Sequence, residues 1–301
     1  MENIQPKISI IILTKNNGRT IGDVLKQIHS QQVDDRYEII LVDSGSQDDT
    51  LKIISQFKVK LYTIPPAEFG HGKTRNLASG YASGDYLVYL SADAIPANEH
   101  WLGNLVDKLA DEKTGATFGR QVPYENTTPM EQFFILKNYP PEKTIQNQSS
   151  SHDLTMNAFF SNVNSAMKRS VWNRFKFSEM LIISEDHDWA RRVQVAGYRI
   201  EYTPDAMVTH SHNYNLLQVF RRYFDSGASF SQMGLKPGVM RNGFGYFKEE
   251  IRFIKQENMF LIPYAILYDI FKFVGFFTGK HEKLIPAFMK KKLSIHAYFW
   301  K

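Results

Sequence analysis

The sequence has no cysteine, and this absence excludes several kinds of protein. Without a thiol among its 301 residues, the chain has no disulfide, no thiolate nucleophile and no zinc site with cysteine ligands. A cysteine-free composition fits a reducing compartment, so we expect a cytoplasmic protein. The start of the sequence also lacks a long apolar run, because the one at residues 10–13 is short. A signal peptide or an N-terminal membrane anchor is therefore not expected.

Positive and negative residues balance over most of the chain. The sequence has 36 Lys+Arg and 31 Asp+Glu, of which residues 248–301 hold 10 and 5, so the first 247 residues hold 26 of each. A neutral body lacks the basic footprint of a nucleic-acid-binding protein. Hydrophobic residues make up 43% of the chain, which is enough for a folded core. We expect a globular protein with a basic end and no nucleic-acid partner.

The first third of the sequence alternates strand-like and helix-like patterns. Continuous apolar, β-branched runs predict strands that are buried on both faces, and apolar residues at helical spacing predict helices between them. This alternation indicates an α/β fold, a mostly parallel sheet flanked by helices. The predicted strands are residues 8–13, 37–42, 58–64 and 86–90, and the predicted helices are residues 20–30, 48–57, 72–83 and 101–110.

The remainder of the sequence is less regular. Residues 124–153 are polar and contain three prolines, which predicts a long surface loop. We place one domain at residues 1–246 and a basic, aromatic, helical appendage at residues 247–301. Further strands are predicted at residues 161–167 and 199–202, and further helices at residues 184–196, 216–230, 248–258 and 262–277.

The appendage combines aromatic and basic residues. Twelve of residues 248–301 are Phe, Tyr or Trp. Residues 259–277 approach the length of a membrane span, but Pro263, Asp269 and Lys272 make a spanning helix costly. We expect a segment that lies in the membrane interface, with the basic residues 290–292 against anionic lipid. The alternative is a solvated helical pair that packs on the body.

Polar residues directly follow three of the predicted strands. Ligands of parallel sheets bind at the carboxyl ends of the strands. Asp43 can accept hydrogen bonds from a base or a ribose there, and Asp93 can coordinate Mg²⁺ or Mn²⁺ on a diphosphate. Taken alone, each aspartate is equally compatible with a turn. The strand-end residues are Thr14, Lys15, Asn16, Asp43, Ser44, Ser91, Ala92 and Asp93.

Two acidic residues, Glu185 and Asp186, open a predicted helix. Acidic residues in a first turn stabilise a helix by themselves, and Ser184 can be the N-cap. The functional alternative is a carboxylate that acts as a general base.

The order of these motifs resembles that of the family 2 glycosyltransferases with the GT-A fold. The pieces are Thr-Lys-Asn after the first strand, Val-Asp-Ser after the second, Thr-Arg-Asn in a helix, Ser-Ala-Asp after the fourth strand, and Glu-Asp before a late helix. Each piece is weak alone, but their combined order is specific. The resemblance covers roughly residues 6–230 and implies a Rossmann-like, mostly parallel sheet with flanking helices.

The resemblance implies a role for each matched residue. Asp186 matches the catalytic base, with Glu185 beside it. Residues 218–222 resemble the Gln-x-x-Arg-Trp motif of processive members, with Arg222 in place of Trp. Arg221 would then hold the diphosphate leaving group, and its alternative is a helix-surface arginine. The implied donor-site residues are Thr14, Asn16, Asp43, Ser44, Arg75, Asn76, Ser91, Ala92, Asp93 and Arg221.

Two departures from the family pattern affect the cation and the ribose. Ser91 replaces the first Asp of Asp-x-Asp, so Asp93 would hold the implied divalent cation, Mg²⁺ or Mn²⁺, with help from His210. Imidazole is a usual ligand for Mn²⁺-like ions and a poor one for Mg²⁺, and His212 is the alternative ligand. Val-Asp-Ser in place of Val-Asp-Asp removes a carboxylate near the ribose but leaves Asp43.

Residues 68–76, Glu-Phe-Gly-His-Gly-Lys-Thr-Arg-Asn, are similar to the corresponding segment of bacterial rhamnosyltransferases that use dTDP-L-rhamnose. This similarity implies an inverting transferase that moves rhamnose onto a cell-surface polysaccharide or a lipid-linked saccharide, at the cytoplasmic face of the membrane. The alternatives are a transferase that uses a UDP-sugar, a nucleotidyltransferase, and a non-catalytic membrane-bound scaffold. The first strand is not followed by a glycine-rich phosphate loop, which argues against the nucleotidyltransferase.

Overall fold

The computed structural model describes residues 7–146, 159–234 and 243–300. The chain divides into two compact units whose segments alternate along the sequence. The boundary that we propose between residues 246 and 247 lies inside the last of these segments. The first unit, here the sheet unit, is Met1–Val122, Tyr139–Ser178 and Asp186–His210, and the second, here the helical unit, is Pro123–Asn138, Glu179–Glu185 and Ser211–Lys301.

The sheet unit is built on one nine-stranded sheet. Its strands are β1 Ile8–Thr14, β2 Tyr37–Asp43, β3 Lys60–Thr63, β4 Tyr86–Ser91, β5 Ile95–Pro96, β6 Thr114–Val122, β7 Thr144–Gln146, β8 Asn164–Lys168 and β9 Arg199–Thr209. They lie in the order β3-β2-β1-β4-β8-β6-β9-β5, and β7 pairs with β9. The first four strands of that order are parallel, and β8 is antiparallel to both its neighbours. This confirms the α/β class with a mostly parallel first half.

The helices alternate with these strands and then dominate the end of the chain. They are α1 Ile21–His29, α2 Thr50–Ile54, α3 His71–Tyr81, α4 Trp101–Val106, α5 Pro129–Asn138, α6 Arg169–Arg174, α7 Glu185–Val195, α8 Leu216–Gln232, α9 Gly243–Asn258, α10 Ile262–Lys280 and α11 Ala287–Leu293. Short 3₁₀ turns lie at Pro66–Glu68, Asp107–Ala110, Met259–Leu261, Glu282–Leu284 and Ala297–Phe299.

The strand predictions for β1, β2 and β4 are accurate because these strands are buried. Ile8, Ile10 and Ile12 of β1 have no exposed surface and pack with the apolar face of α1, including Val24 and Leu25. A central parallel strand needs apolar residues on both faces, so its sequence is a continuous run with clear limits.

The predicted long loop at residues 124–153 is wrong where the structure describes it. Helix α5 and strand β7 lie in this range, and residues 147–158 are outside the described part of the chain. Pro129 is the first residue of α5, where a missing N–H is harmless, and Met130, Phe133 and Ile135 are buried. Proline here starts a helix and does not mark a loop.

Other predicted bounds shift by several residues. The helix predicted at 48–57 is only Thr50–Ile54, the strand predicted at 161–167 is Asn164–Lys168, and β9 continues past residue 202 to Thr209. Strand β6 was not predicted. Its sequence, TGATFGRQV, has small and polar residues where a buried strand usually has Val or Ile.

The helical unit is held together by close contact between α8 and α10. A Cβ atom added at Gly275 or Gly279 of α10 would overlap the backbone carbonyls of Phe220 and Phe224 of α8. Two glycines four residues apart allow this approach, which no larger side chain permits. The stretch Gly245–Lys280 has the length and composition of a membrane span, but it turns at Asn258, whose side chain accepts a hydrogen bond from Phe260 N.

Candidate active site

The strand-end residues of β1, β2 and β4 lie at one edge of the sheet. In the parallel register Thr14 pairs with Asp43, and Leu13 pairs with Ser91. The three loops that follow these strands therefore begin at the same level. This brings together the polar residues that the sequence placed after separate strands.

Asp43 holds the loop that follows β2. Its side chain is buried, and Oδ2 accepts hydrogen bonds from the backbone N–H groups of Gly45 and Ser46, at 2.9 and 3.0 Å. Oδ1 accepts from the Ser46 hydroxyl. These three local bonds use most of the acceptor positions of the carboxylate, so Asp43 fixes the shape of the loop.

Asn16 joins the loop after β1 to the loop after β2. Its backbone has φ of 56°, a conformation that asparagine tolerates better than most residues. Its N–H donates to Ser46 Oγ and its Oδ1 accepts from Gln47 N, both at 2.8 Å. The Ser44 N–H donates to the Thr14 carbonyl at 3.0 Å. The loops after β1 and β2, which carry the predicted nucleotide-binding residues, are thus held together by hydrogen bonds.

Arg75 and Asn76 of α3 have different surroundings. The Asn76 amide binds the backbone of Phe177, accepting from its N–H at 3.1 Å and donating to its carbonyl at 3.0 Å. This fixes α3 on a later segment of the sheet unit. Arg75 lines a small recess at the strand ends, together with Ile11, Leu13, Tyr89, Leu90, Ser91 and Asn162. Of this pair, Arg75 is therefore the residue that lines the recess.

Asp93 and His210 form the candidate cation pair of the sheet unit. His210 Nε2 lies 3.6 Å from Asp93 Oδ1. The His210 backbone N–H donates to the Val122 carbonyl at 2.9 Å, so the end of β6 positions it. One carboxylate oxygen and one imidazole nitrogen at this spacing fit an Mn²⁺-like ion, whose remaining positions diphosphate oxygens or water can fill. His212, the alternative ligand, belongs to the helical unit.

The loop that carries Asp93 is tied to the start of α1. The Thr20 hydroxyl donates to the Ala92 carbonyl at 3.0 Å. Ala92 itself is buried, whereas Asp93 is partly exposed. Ala92 thus contributes its backbone, and Asp93 contributes the carboxylate.

Asp186 has the more accessible carboxylate of the Glu-Asp pair. Glu185 is only 3% exposed, whereas Asp186 is partly exposed. Asp186 Oδ2 accepts from the Asn162 N–H at 3.2 Å, and its Oδ1 accepts from the His187 N–H at 2.9 Å. These bonds orient a carboxylate that solvent or substrate can reach, as a general base requires.

The helical unit carries Glu185 and Arg221. Gln218, the first residue of the Gln-x-x-Arg pattern, closes a capping box with Asn215: each backbone N–H donates to the other's side chain at 2.9 Å. This use explains Gln218 without a ligand. Arg221 is half-buried, and its Nε has no hydrogen-bond partner among the residues that the structure describes.

Two residues of the site were missed in the sequence. Gln121 lies beside His210, with Oε1 at 2.9 Å from Nδ1, and Asn162 holds Asp186. Gln121 lies on the unpredicted strand β6, and Asn162 lies in a polar segment without a motif. Neither has a local pattern that could have identified it.

The matching family, two full-length sequence relatives and a solved structure that resembles this chain are all glycosyltransferases. The family described as Glycosyl transferase family 2 matches residues 9–173. The O-antigen chain rhamnosyltransferases WbaN of Salmonella anatum and RfbN of Salmonella typhimurium are each 33% identical to this chain, over 98% of it and 96% of their own length. The mannosyltransferase PcManGT of Pyrobaculum calidifontis, solved with GDP-Man and Mn²⁺, has a TM-score of 0.62 at 19% identity, covering 94% of this chain and 88% of its own.

Proposed function

This chain belongs to glycosyl transferase family 2, and on that premise we propose that it transfers L-rhamnose from dTDP-L-rhamnose to a growing polysaccharide or a lipid-linked saccharide. The family match confirms the resemblance read from the order of the motifs. The observation that carries the donor proposal is the 33% identity, over nearly the full length of both chains, to an O-antigen chain rhamnosyltransferase. The strand-end geometry supports the same reaction.

Asp186 is our proposed catalytic base. Its carboxylate takes the proton of the acceptor hydroxyl while that oxygen attacks the anomeric carbon, and the nucleoside diphosphate leaves from the opposite face. A single displacement inverts the anomeric centre, so a β-linked donor gives an α-rhamnoside. The hydrogen bond from the Asn162 N–H keeps Asp186 in one orientation for this step.

The donor is proposed to lie along the three aligned strand ends. Asp43 and Asn16 hold the loops after β2 and β1 in place for the nucleoside, and Arg75 lies where it can meet the diphosphate. Asp93 and His210 would hold a divalent cation, which offsets the negative charge that grows on the leaving diphosphate. The role of Arg221 at the diphosphate, which the resemblance implies, stays a prediction, because Arg221 belongs to the helical unit.

A thermal-shift screen tests the donor. The protein is heated with dTDP-rhamnose, UDP-glucose, UDP-N-acetylglucosamine and GDP-mannose, each with Mn²⁺ and each with EDTA. A ligand that binds only the folded state raises the melting temperature, so dTDP-rhamnose with Mn²⁺ should give the largest shift. A larger shift from a UDP- or GDP-sugar would overturn the donor, and no shift from any of them would favour the non-catalytic scaffold.

We also propose that the helical unit rests on the cytoplasmic face of the membrane, where a lipid-linked acceptor would be found. On α10 the residues Ile266, Ile270, Phe273 and Phe277, here the apolar stripe, are spaced for one helical face and are 41 to 58% exposed. At the turn before α10, Phe260 is 85% exposed. A contiguous apolar surface of this kind marks a site of association.

In the helical unit, fewer of the basic residues 290–292 are available to lipid than the sequence suggested. Lys290 is not available to lipid, because it pairs with Glu282 and lies 4.7 Å from the centre of the Trp300 ring. Lys291 and Lys292 are exposed. A membrane with anionic lipid therefore suits the helical unit through two lysines next to apolar side chains.

Flotation with liposomes tests this surface. The double variant Phe273→Ser/Phe277→Ser should lose binding to vesicles of phosphatidylglycerol and phosphatidylethanolamine. Leu217→Ser, at a residue of the same unit that is 53% exposed, is the matched control and should bind as the wild type does. Unchanged flotation of the double variant, or loss of a dimer in its place, would show that another partner covers the stripe.

A further inference from the structure

Gln121 of β6 has both ends of its amide engaged inside the sheet unit. Its side chain is 3% exposed. Oε1 lies 2.9 Å from His210 Nδ1, and Nε2 donates to Ser161 Oγ at 3.3 Å. The β6–β9 register shifts between Gly119 and Gln121, and such a bulge changes the direction of a side chain. The irregularity thus lies directly beside the Gln121 position.

The Ser161 contact fits an amide whose Nε2 faces Ser161 and whose Oε1 faces His210. Ser161 Oγ accepts from the Val163 N–H at 3.4 Å as well as from Gln121 Nε2. With Nε2 used on the hydroxyl, Oε1 is the atom that meets the imidazole. A carbonyl oxygen only accepts, so His210 Nδ1 carries the hydrogen in this arrangement.

This tautomer explains the distance between His210 and Asp93. A neutral imidazole with its hydrogen on Nδ1 has a lone pair on Nε2, and that lone pair faces the Asp93 carboxylate at 3.6 Å. In the opposite tautomer Nε2–H would donate to Asp93, but 3.6 Å is too long for that hydrogen bond. Two electron-rich atoms at this separation are stabilised by a cation between them.

We propose that Gln121 is the positioning residue of the cation site. It holds His210 in the Nδ1–H tautomer, so that Nε2 and Asp93 Oδ1 are presented together to a divalent cation, and the contact with Ser161 engages the other end of the amide. Residues of this kind, which accept from the second nitrogen of a metal-binding histidine, commonly set its orientation and basicity. This inference rests on the cation site of the proposed function, but it concerns residues that the family motifs do not include.

The same peptide segment also supports the base. Asn162 follows Ser161 directly and donates its N–H to Asp186 Oδ2. Ser161 therefore stands on the cation side and Asn162 on the base side of one short segment. A change at Gln121 should act on the cation first and leave the Asp186 contact in place.

Titration with Mn²⁺ alone, followed by the loss of the free-ion EPR signal, tests the proposal. Gln121→Leu removes the acceptor and should weaken Mn²⁺ binding by about 10- to 100-fold. Gln121→Glu keeps an acceptor for Nδ1–H and should retain most of the affinity. Gln31→Leu is the matched control, because Gln31 is also a buried, hydrogen-bonded glutamine of the sheet unit, and it should bind Mn²⁺ as the wild type does.

The outcomes separate this inference from the proposed function. If the wild type binds Mn²⁺ and Gln121→Leu binds it equally well, Gln121 has no positioning role. If the wild type does not bind Mn²⁺, the cation site itself is wrong. A second measurement needs no folded variant: nitrogen-15 NMR of the metal-free wild type, at a pH where the imidazole is neutral, should give the Nδ1–H tautomer for His210. The Nε2–H tautomer would overturn the proposal.

Discussion

The two units of the molecule distribute polar and apolar side chains in opposite ways. In the sheet unit the buried residues of β1, β2 and β4 are mostly apolar, and polar groups gather where these strands end. In the helical unit Glu250 is fully buried and Lys272 nearly so, 3.4 Å apart, while Phe260 and Leu284 are 85% and 83% exposed. In a protein that faces only water, charged side chains are usually exposed and large apolar side chains are usually buried. On this basis we propose that the sheet unit holds the donor and that the helical unit meets the membrane.

One carboxyl group of each unit, Glu38 in the sheet unit and Asp225 in the helical unit, has a pKa shifted in the opposite direction. In the sheet unit, burial would raise the pKa of Glu38, but hydrogen bonds from Lys60, Ser83 and Ser9 outweigh it and lower the pKa to about 2. In the helical unit, burial raises the pKa of Asp225 to about 6, against hydrogen bonds from Ser294 and the backbone that follows it. Hydrogen bonds outweigh burial at Glu38, whereas burial outweighs hydrogen bonds at Asp225.

The largest expected effect is at the catalytic base. Asp186→Asn should lower the transfer rate by about 10²- to 10⁴-fold, the usual contribution of general base catalysis, with the melting temperature unchanged. Asp188→Asn, two residues further on the same helix, is the control. Asp188 pairs with Arg192 at 2.8 Å, so its loss should lower stability and leave the rate per folded molecule nearly unchanged. Equal rates for Asp186→Asn and the wild type would remove Asp186 from this role.

A core substitution in the helical unit should lower stability without changing donor affinity, and so distinguish the roles of the two units. Trp300 is 7% exposed and packs with Ile182, Ile183, Phe224 and Ala228. Trp300→Ala should lower the free energy of unfolding by about 3 to 5 kcal/mol, measured by denaturation in urea. Donor affinity, measured where the variant is still folded, should not change. A parallel loss of donor affinity would contradict our proposal that residues of the sheet unit hold the donor.

The opposite pKa shifts predict opposite responses to pH. The folded pKa of Asp225 is raised above its usual 3.8, so its contribution is full below pH about 4 and is lost as the pH rises through about 6, by roughly 3 kcal/mol. Asp225→Asn should remove that loss. The folded pKa of Glu38 is lowered, so its contribution is present above its ordinary pKa and is lost as the pH falls, and Glu38→Gln should destabilise most at neutral pH. Urea denaturation over this pH range measures both, and parallel curves for the two variants would contradict the comparison.

The smallest effect is expected from the exposed lysines of α11. Lys291→Glu and Lys292→Glu should each weaken binding to anionic vesicles by about 1 kcal/mol or more, with no change for neutral vesicles. Lys290→Glu should act differently, because Lys290 pairs with the buried Glu282, and it should lower the melting temperature. Sedimentation of the protein with vesicles and a thermal melt of each variant distinguish the two effects.

The sequence predicts those strands and helices whose own residues show a clear hydrophobic pattern. β1 and β4 were placed within a residue of their bounds because a central strand is apolar on both faces. Strand β6 and helix α5 were missed: the first has small residues, and the second begins at a proline that suggested a loop. Their stability comes from partners that are distant in sequence.

The site follows the same division. Asp43, Asp93 and Asp186 are predicted as site residues because they follow strands or open a helix, and because their order resembles a known family. Gln121 and Ser161 are 40 residues apart, and Gln121 and His210 are 89 residues apart. No local pattern connects such residues. They come together because β6 pairs with β9, which ends just before His210, and with β8, which begins three residues after Ser161.

Calorimetry of donor binding tests the central claim most directly, namely that the strand-end face of the sheet unit holds the donor diphosphate through a cation on Asp93 and His210. The wild type should bind dTDP-rhamnose with Mn²⁺ and much more weakly in EDTA, and Asp93→Ala should bind it weakly in both. Equal donor affinity for the wild type with and without the cation would contradict the claim.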